Sequence, residues 1–136
     1  MRRGSNSKVD LLGKVPLFAG LSKRDLQRVA RIADEIDLRE GKALISEGDV
    51  GRQFFVLLDG SADVRRKGRR VNTMGPGDFF GEIALLSDRM TTASVTTTEP
   101  SRALVITRAS FRSLLRDEPA VQLKVLQALA DRVPED

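Results

Sequence analysis

The amino-acid sequence predicts a mainly β domain of sandwich, jelly-roll or barrel type, with helices at both ends. Two patterns carry that expectation. Between about residues 36 and 107, short apolar stretches such as Ala43-Leu44-Ile45, Phe54-Phe55-Val56-Leu57-Leu58 and Thr92-Ala93-Ser94-Val95 alternate with breaks at Gly41, Gly48, Gly51, Gly60, Gly68 and Gly75-Pro76-Gly77. Many short strands joined by glycine turns produce that rhythm. On either side of this zone, apolar residues recur at helical spacing instead. A chain of 136 residues has room for one core, so a single domain over 1–136 is expected.

The first zone, residues 8–34, is helical. Leu26, Val29, Ala30 and Ala33 fall on one face, and Ser22 with Asp25 forms a start signal in which a hydroxyl and a carboxylate satisfy free N–H groups of the first turn. Before it, Val15-Pro16-Leu17-Phe18-Ala19-Gly20-Leu21 reads as an apolar turn packed on the domain. In the second zone, 36–107, Asp59-Gly60 between two strand-like runs signals a hairpin. The basic cluster Arg65-Arg66-Lys67-Gly68-Arg69-Arg70 reads as a solvated hairpin tip. The third zone, 108–133, returns to helix: Phe111, Leu114 and Leu115 share a face, Asp117-Glu118-Pro119 breaks the pattern, and proline starts the next helix. Val121, Val125 and Leu129 then follow at spacing four.

Composition excludes several function classes. There is no histidine and no cysteine. Zinc hydrolases, two-His-one-carboxylate oxygenases, Ser-His-Asp hydrolases and thiol chemistry therefore fall away. The acidic residues show no catalytic spacing, so no enzyme, no metal and no cofactor are expected. The net charge of +4 is spread along the chain, and with neither Trp nor Tyr there are few stacking platforms. Direct nucleic-acid binding is not expected from that distribution. No apolar run approaches membrane-spanning length, and Met1-Arg2-Arg3 leads to polar residues, so no membrane association and a cytoplasmic setting are expected.

The most informative segment is Gly75-Pro76-Gly77-Asp78-Phe79-Phe80-Gly81-Glu82-Ile83-Ala84-Leu85-Leu86. It combines a glycine turn, a glutamate and the start of a short apolar helix. Free N–H groups at a helix start can hold an anion, and a carboxylate can accept from ribose hydroxyls. Gly81 lets the backbone approach a ligand because it has no Cβ. The same string also fits a turn followed by a buried helix.

Over nearly its whole length the chain resembles the cyclic nucleotide-binding domain family. The resemblance runs through Val15-Pro16-Leu17-Phe18, Ile45-Ser46-Glu47-Gly48-Asp49 and Phe54-Phe55-Val56-Leu57-Leu58-Asp59-Gly60 to its peak at residues 75–86, which look like the family's phosphate-binding cassette. It implies an antiparallel jelly-roll β-barrel, the β-roll, with N-terminal helices, a short phosphate-binding helix and C-terminal lid helices. It also implies a regulatory module that senses cAMP or cGMP in signal transduction. Carried over by position, Glu82 accepts from the ribose 2′-hydroxyl, while Gly81, Ile83 and Ala84 offer backbone N–H groups. The resemblance also assigns Phe80, Thr92 and Ala93 to the ligand-binding set, with Thr92 at the small-residue position near the phosphate and base.

One departure bears on affinity. The family places an arginine ten residues after the glycine matching Gly81, and this chain has Thr91 there. A threonine offers one hydroxyl and no charge, so weakened binding is expected. Arg89, two residues earlier, is a candidate substitute or a solvated loop charge. The alternative is a degenerate fold that no longer binds nucleotide and serves as a protein-interaction or scaffold module. A protein partner or output domain and a homodimer through the C-terminal helix are further expectations.

Overall fold

In the computed structural model, which describes residues 5–81 and 90–132, the strands of the central zone divide their side chains between two separate cores. The chain opens with α1 (Ser5–Lys14) and α2 (Lys23–Ile32). Eight strands follow: β1 (Asp34–Leu38), β2 (Ala43–Ile45), β3 (Gln53–Asp59), β4 (Ala62–Arg66), β5 (Arg69–Met74), β6 (Phe79–Phe80), β7 (Ser94–Thr97) and β8 (Ser101–Thr107). Two helices close it, α3 (Arg108–Asp117) and α4 (Pro119–Arg132). The strands form two four-stranded antiparallel sheets, ordered β1-β8-β3-β6 and β2-β7-β4-β5.

This layering explains why Phe54-Phe55-Val56-Leu57 is apolar at every position. Successive side chains of a strand point to opposite faces. Phe54 and Val56 pack with Phe79, Leu104, Ile106, the helical residues Leu12, Val29, Phe111 and Val121, and Phe18 in the turn between α1 and α2. Phe55 and Leu57 pack with Phe80, Val64, Val95, Ala103 and Val105 between the two sheets. Aromatic stacking reinforces each side: Phe54 lies 4.5 Å from Phe111, and Phe55 lies 5.2 Å from Phe80. The first sheet is therefore sandwiched between helices and the second sheet, and its strands cannot show simple alternation.

Local chemistry sets the helix ends. The Ser22 hydroxyl accepts from the Asp25 N–H at 3.1 Å, as the start signal predicts. Thr107 does the same for Ser110 and so turns β8 directly into α3. At the far end of α2, Lys8 Nζ donates to the carbonyls of Ala30 and Ala33, tying α1 to a helix terminus that would otherwise present free acceptors. Glu118, buried at the corner between α3 and α4, accepts from Arg28 Nη1 at 3.1 Å.

The turn at Asp59-Gly60 differs from expectation. β3 and β4 are not a hairpin but belong to different sheets. The turn is held by a neighbour distant in sequence, since the Ser61 N–H donates to Ser101 Oγ, and a Cβ on Gly60 would overlap Ser101. The chain is thereby passed from one sheet to the other. The true tight hairpin is β4–β5, where Lys67 and Gly68 both have positive φ, 54° and 78°, as a type I′ turn requires.

Candidate functional site

The segment between β2 and β3 borders a half-open cavity of about 440 Å³ beside Gly81 and Thr91. Its lining mixes glycines and small polar residues with aliphatic side chains, Phe55 and one arginine. Ser46, Gly48, Asp49, Val50, Gly51 and Arg52 come from that segment, Leu44 and Ile45 from β2, Gln53 and Phe55 from β3, and Gly81 and Thr91 complete it. The volume lies in the range of pockets for drug-sized ligands, about 300–1,000 Å³.

Gly81 has φ +96°, and a Cβ there would stand 2.6 Å from the Gln53 carbonyl oxygen. No other residue type fits both constraints, so glycine at this point is dictated by the close approach of two backbones. Arg108 fixes the opposite edge: its N–H donates to the Arg52 carbonyl and its Nη1 donates to the Gly51 carbonyl, both at 2.9 Å. The start of β3 is thus pinned between α3 and Gly81.

Thr91 is engaged in building the wall. Its hydroxyl donates to the Ser46 carbonyl at 2.6 Å and lies 3.1 Å from the Asp49 carbonyl. Its N–H donates to Asp49 O, and its own carbonyl accepts from the Gly48 N–H. The adjacent bridge between Val50 and Met90 extends this clasp.

The structure distributes the sequence-predicted site residues unevenly. Gly81 and Thr91 line the cavity together. Phe80 lies in the inter-sheet core, stacked on the cavity residue Phe55. Thr92 is exposed and its carbonyl accepts from Arg66 Nε, while Ala93 packs against the inter-sheet core, and neither lines the cavity. Glu82, Ile83, Ala84 and Arg89 lie outside the described residues, as does the short phosphate-binding helix. Among the described residues, α4 contributes nothing to the cavity lining; Val121 and Val125 instead pack into the helical core. Sequence reasoning did not place the segment 48–53 in the site: Gly48-Asp49 entered only as part of a family motif, and Gly51 only as a strand break.

Comparison with known proteins decides the family. A model of the cyclic nucleotide-binding domain matches residues 35–118. The chain belongs to the cyclic nucleotide-binding domain family. This cyclic nucleotide-binding domain is 36% identical over 107 residues to a cAMP-dependent protein kinase regulatory subunit of Eremothecium gossypii, covering 78% of this chain and 23% of that protein. It is 26% identical over 129 residues to a CRP-like cAMP-activated global transcriptional regulator of Mycobacterium tuberculosis, covering 91% of this chain and 58% of the regulator. Among solved structures, the regulatory subunit of a cAMP-independent protein kinase A from Trypanosoma brucei superposes with a TM-score of 0.82 at 22% identity, covering 94% of this chain and 47% of that one. The chain spans about a quarter to three-fifths of these curated relatives. No helix among the described residues is long and apolar enough to cross a membrane.

Proposed function

We propose that this domain is a regulatory module that takes a cyclic nucleotide in the cavity beside Gly81 and Thr91, with reduced affinity, and performs no catalysis itself. The observation that carries the reading is the coincidence of the family match with a cavity of nucleotide size built around the glycine of the cassette. Gly81 brings its backbone to the ligand side without a Cβ, and Glu82, the next residue, is assigned the ribose hydroxyls by the family pattern. The reduced affinity follows from position 91. A hydrogen bond to a charged group contributes about 1.5–3 kcal/mol, so one missing contact weakens binding roughly ten- to 150-fold. The Thr91 hydroxyl cannot make good the loss while it serves the Ser46 carbonyl.

That engagement of Thr91 also favours a second reading, in which the fold is retained as an interaction module without a nucleotide. The relatives accommodate both outcomes. Two are named for cAMP dependence or activation, and one fold neighbour is a subunit of a cAMP-independent kinase. Calorimetric titration with cAMP and with cGMP separates the readings. Saturable heat and a rise in melting temperature are expected. No heat and no thermal shift at millimolar ligand would leave the interaction module.

A further inference from the structure

We propose that Arg52, which lines the cavity together with Thr91, supplies a positive charge for the phosphate of the ligand and so offsets part of the loss of an arginine at position 91. The inference rests on the cyclic-nucleotide reading above and adds its recognition element. Arg52 is the cationic side chain in the described lining of the cavity. Its guanidinium makes no hydrogen bond or ion pair among the described residues, whereas Arg24, Arg28, Arg65, Arg70, Arg102 and Arg116 each meet a carboxylate. Asp49, the one carboxylate in that described lining, lies beyond ion-pair distance of it, so the charge is not neutralised within the wall.

An arginine without a partner on a surface is ordinary; the backbone beneath this one is not. The two bonds from Arg108 hold the carbonyls of Gly51 and Arg52, and the next carbonyl, that of Gln53, is pressed against Gly81. The stem of Arg52 therefore starts from a fixed point beside the glycine that marks the cassette. A guanidinium can present two N–H groups to two phosphate oxygens, and it does so best when its anchor is already ordered. Thr91, its hydroxyl turned to Ser46, leaves the phosphate oxygens to another donor.

The test compares cAMP with adenosine, which keeps the base and ribose but lacks the phosphate. Affinities are measured by calorimetry for the parent chain, Arg52→Gln and Arg52→Lys. The parent should prefer cAMP. Arg52→Gln should weaken cAMP binding roughly ten- to 150-fold, the range of one charge-assisted contact, and move adenosine by less than about twofold. Arg52→Lys should retain part of the preference. Melting temperature should stay at the parent value in both variants, because the side chain holds nothing else. If Arg52→Gln binds cAMP as tightly as the parent, the assignment of Arg52 is overturned and the nucleotide reading stands. A parent that binds cAMP and adenosine equally well also overturns it. A parent that binds neither removes the nucleotide reading and this inference together.

Discussion

Replacing Gly81 by alanine tests the geometry of the cavity wall most directly. Two separate penalties are expected. The backbone at φ +96° is a region that residues with a Cβ enter at a cost of about 1–2 kcal/mol. The new methyl would also stand 2.6 Å from the Gln53 carbonyl oxygen and 3.5 Å from Ile45 Cδ1. The first neighbour is backbone, held at the start of β3 by the bonds from Arg108 to Gly51 and Arg52, so it cannot swing away as a side chain would. Forcing the two apart should cost about a further 1–3 kcal/mol, the usual range for inserting a methyl where there is no room. Gly41→Ala is the matched control. Gly41 has φ +81° but open space around its Cβ position, so it carries the conformational term alone. At roughly 4 °C per kcal/mol for a domain of this size, Gly41→Ala should lower the melting temperature by about 4–8 °C and Gly81→Ala by about 8–20 °C. Urea denaturation of the two variants gives the difference in free energy directly. Equal losses in both would show that the close approach of Gly81 to Gln53 is absent in solution, and with it this wall of the cavity.

Other substitutions probe the remaining parts. In the Arg52→Gln background, Thr91→Arg should regain at least about tenfold in cAMP affinity, since it restores a guanidinium to the cavity lining; calorimetry reads the gain. Arg28→Ala should cost about 1–3 kcal/mol in denaturant unfolding, because among the described residues it leaves the buried carboxylate of Glu118 with Arg24 alone, at 4.0 Å. Adding Glu118→Gln should recover part of that loss, a coupling a double-mutant cycle measures. Phe111→Ala empties a fully buried site stacked on Phe54 and should cost about 3–5 kcal/mol. Ser22→Ala removes the cap of α2 and should cost about 1 kcal/mol.

What could be read from the sequence was whatever short-range chemistry encodes. The Ser22 cap, the proline start of α4 and the strand-and-break rhythm all depend on residues within a few positions of one another, and each appears where the pattern put it. The turn at Asp59-Gly60 shows the limit. Its two residues specify a tight turn, but which sheet receives the next strand depends on Ser101, a neighbour the local string does not contain. The same limit hid half of the site. Gly81 and Thr91 were visible because they belong to one motif. The segment from Gly48 to Gln53 becomes a wall only through pairing with residues far along the chain, Thr91 with Asp49 and Met90 with Val50. Gly48-Asp49 carried the family resemblance, but nothing in the residues that follow marked the segment as a cavity wall. Phe80 beside Gly81 illustrates the converse: adjacency in the motif did not make it part of the lining, because strand alternation turns it into the inter-sheet core.

The division of labour between core and wall bears on how ligand preference can change in this fold. Neither Arg52 nor Thr91 belongs to either hydrophobic core, and the guanidinium of Arg52 bonds to none of the described residues. Charge at position 52 can therefore be removed or exchanged at small cost in stability, whereas a change at Thr91 also gives up its hydroxyl's hydrogen bond to the Ser46 carbonyl. Gly81 and the backbone of residues 51–53 are different, because their close contact sets the width of the space itself. Shape is thus tied to folding, while the charge at position 52 is not. A cavity of this construction keeps room for a nucleotide-sized guest even as the group that recognises the phosphate changes place. The threonine at position 91 consequently bears on how tightly an anion is held, and the calorimetric titration, not the shape of the cavity, decides whether a nucleotide is held at all.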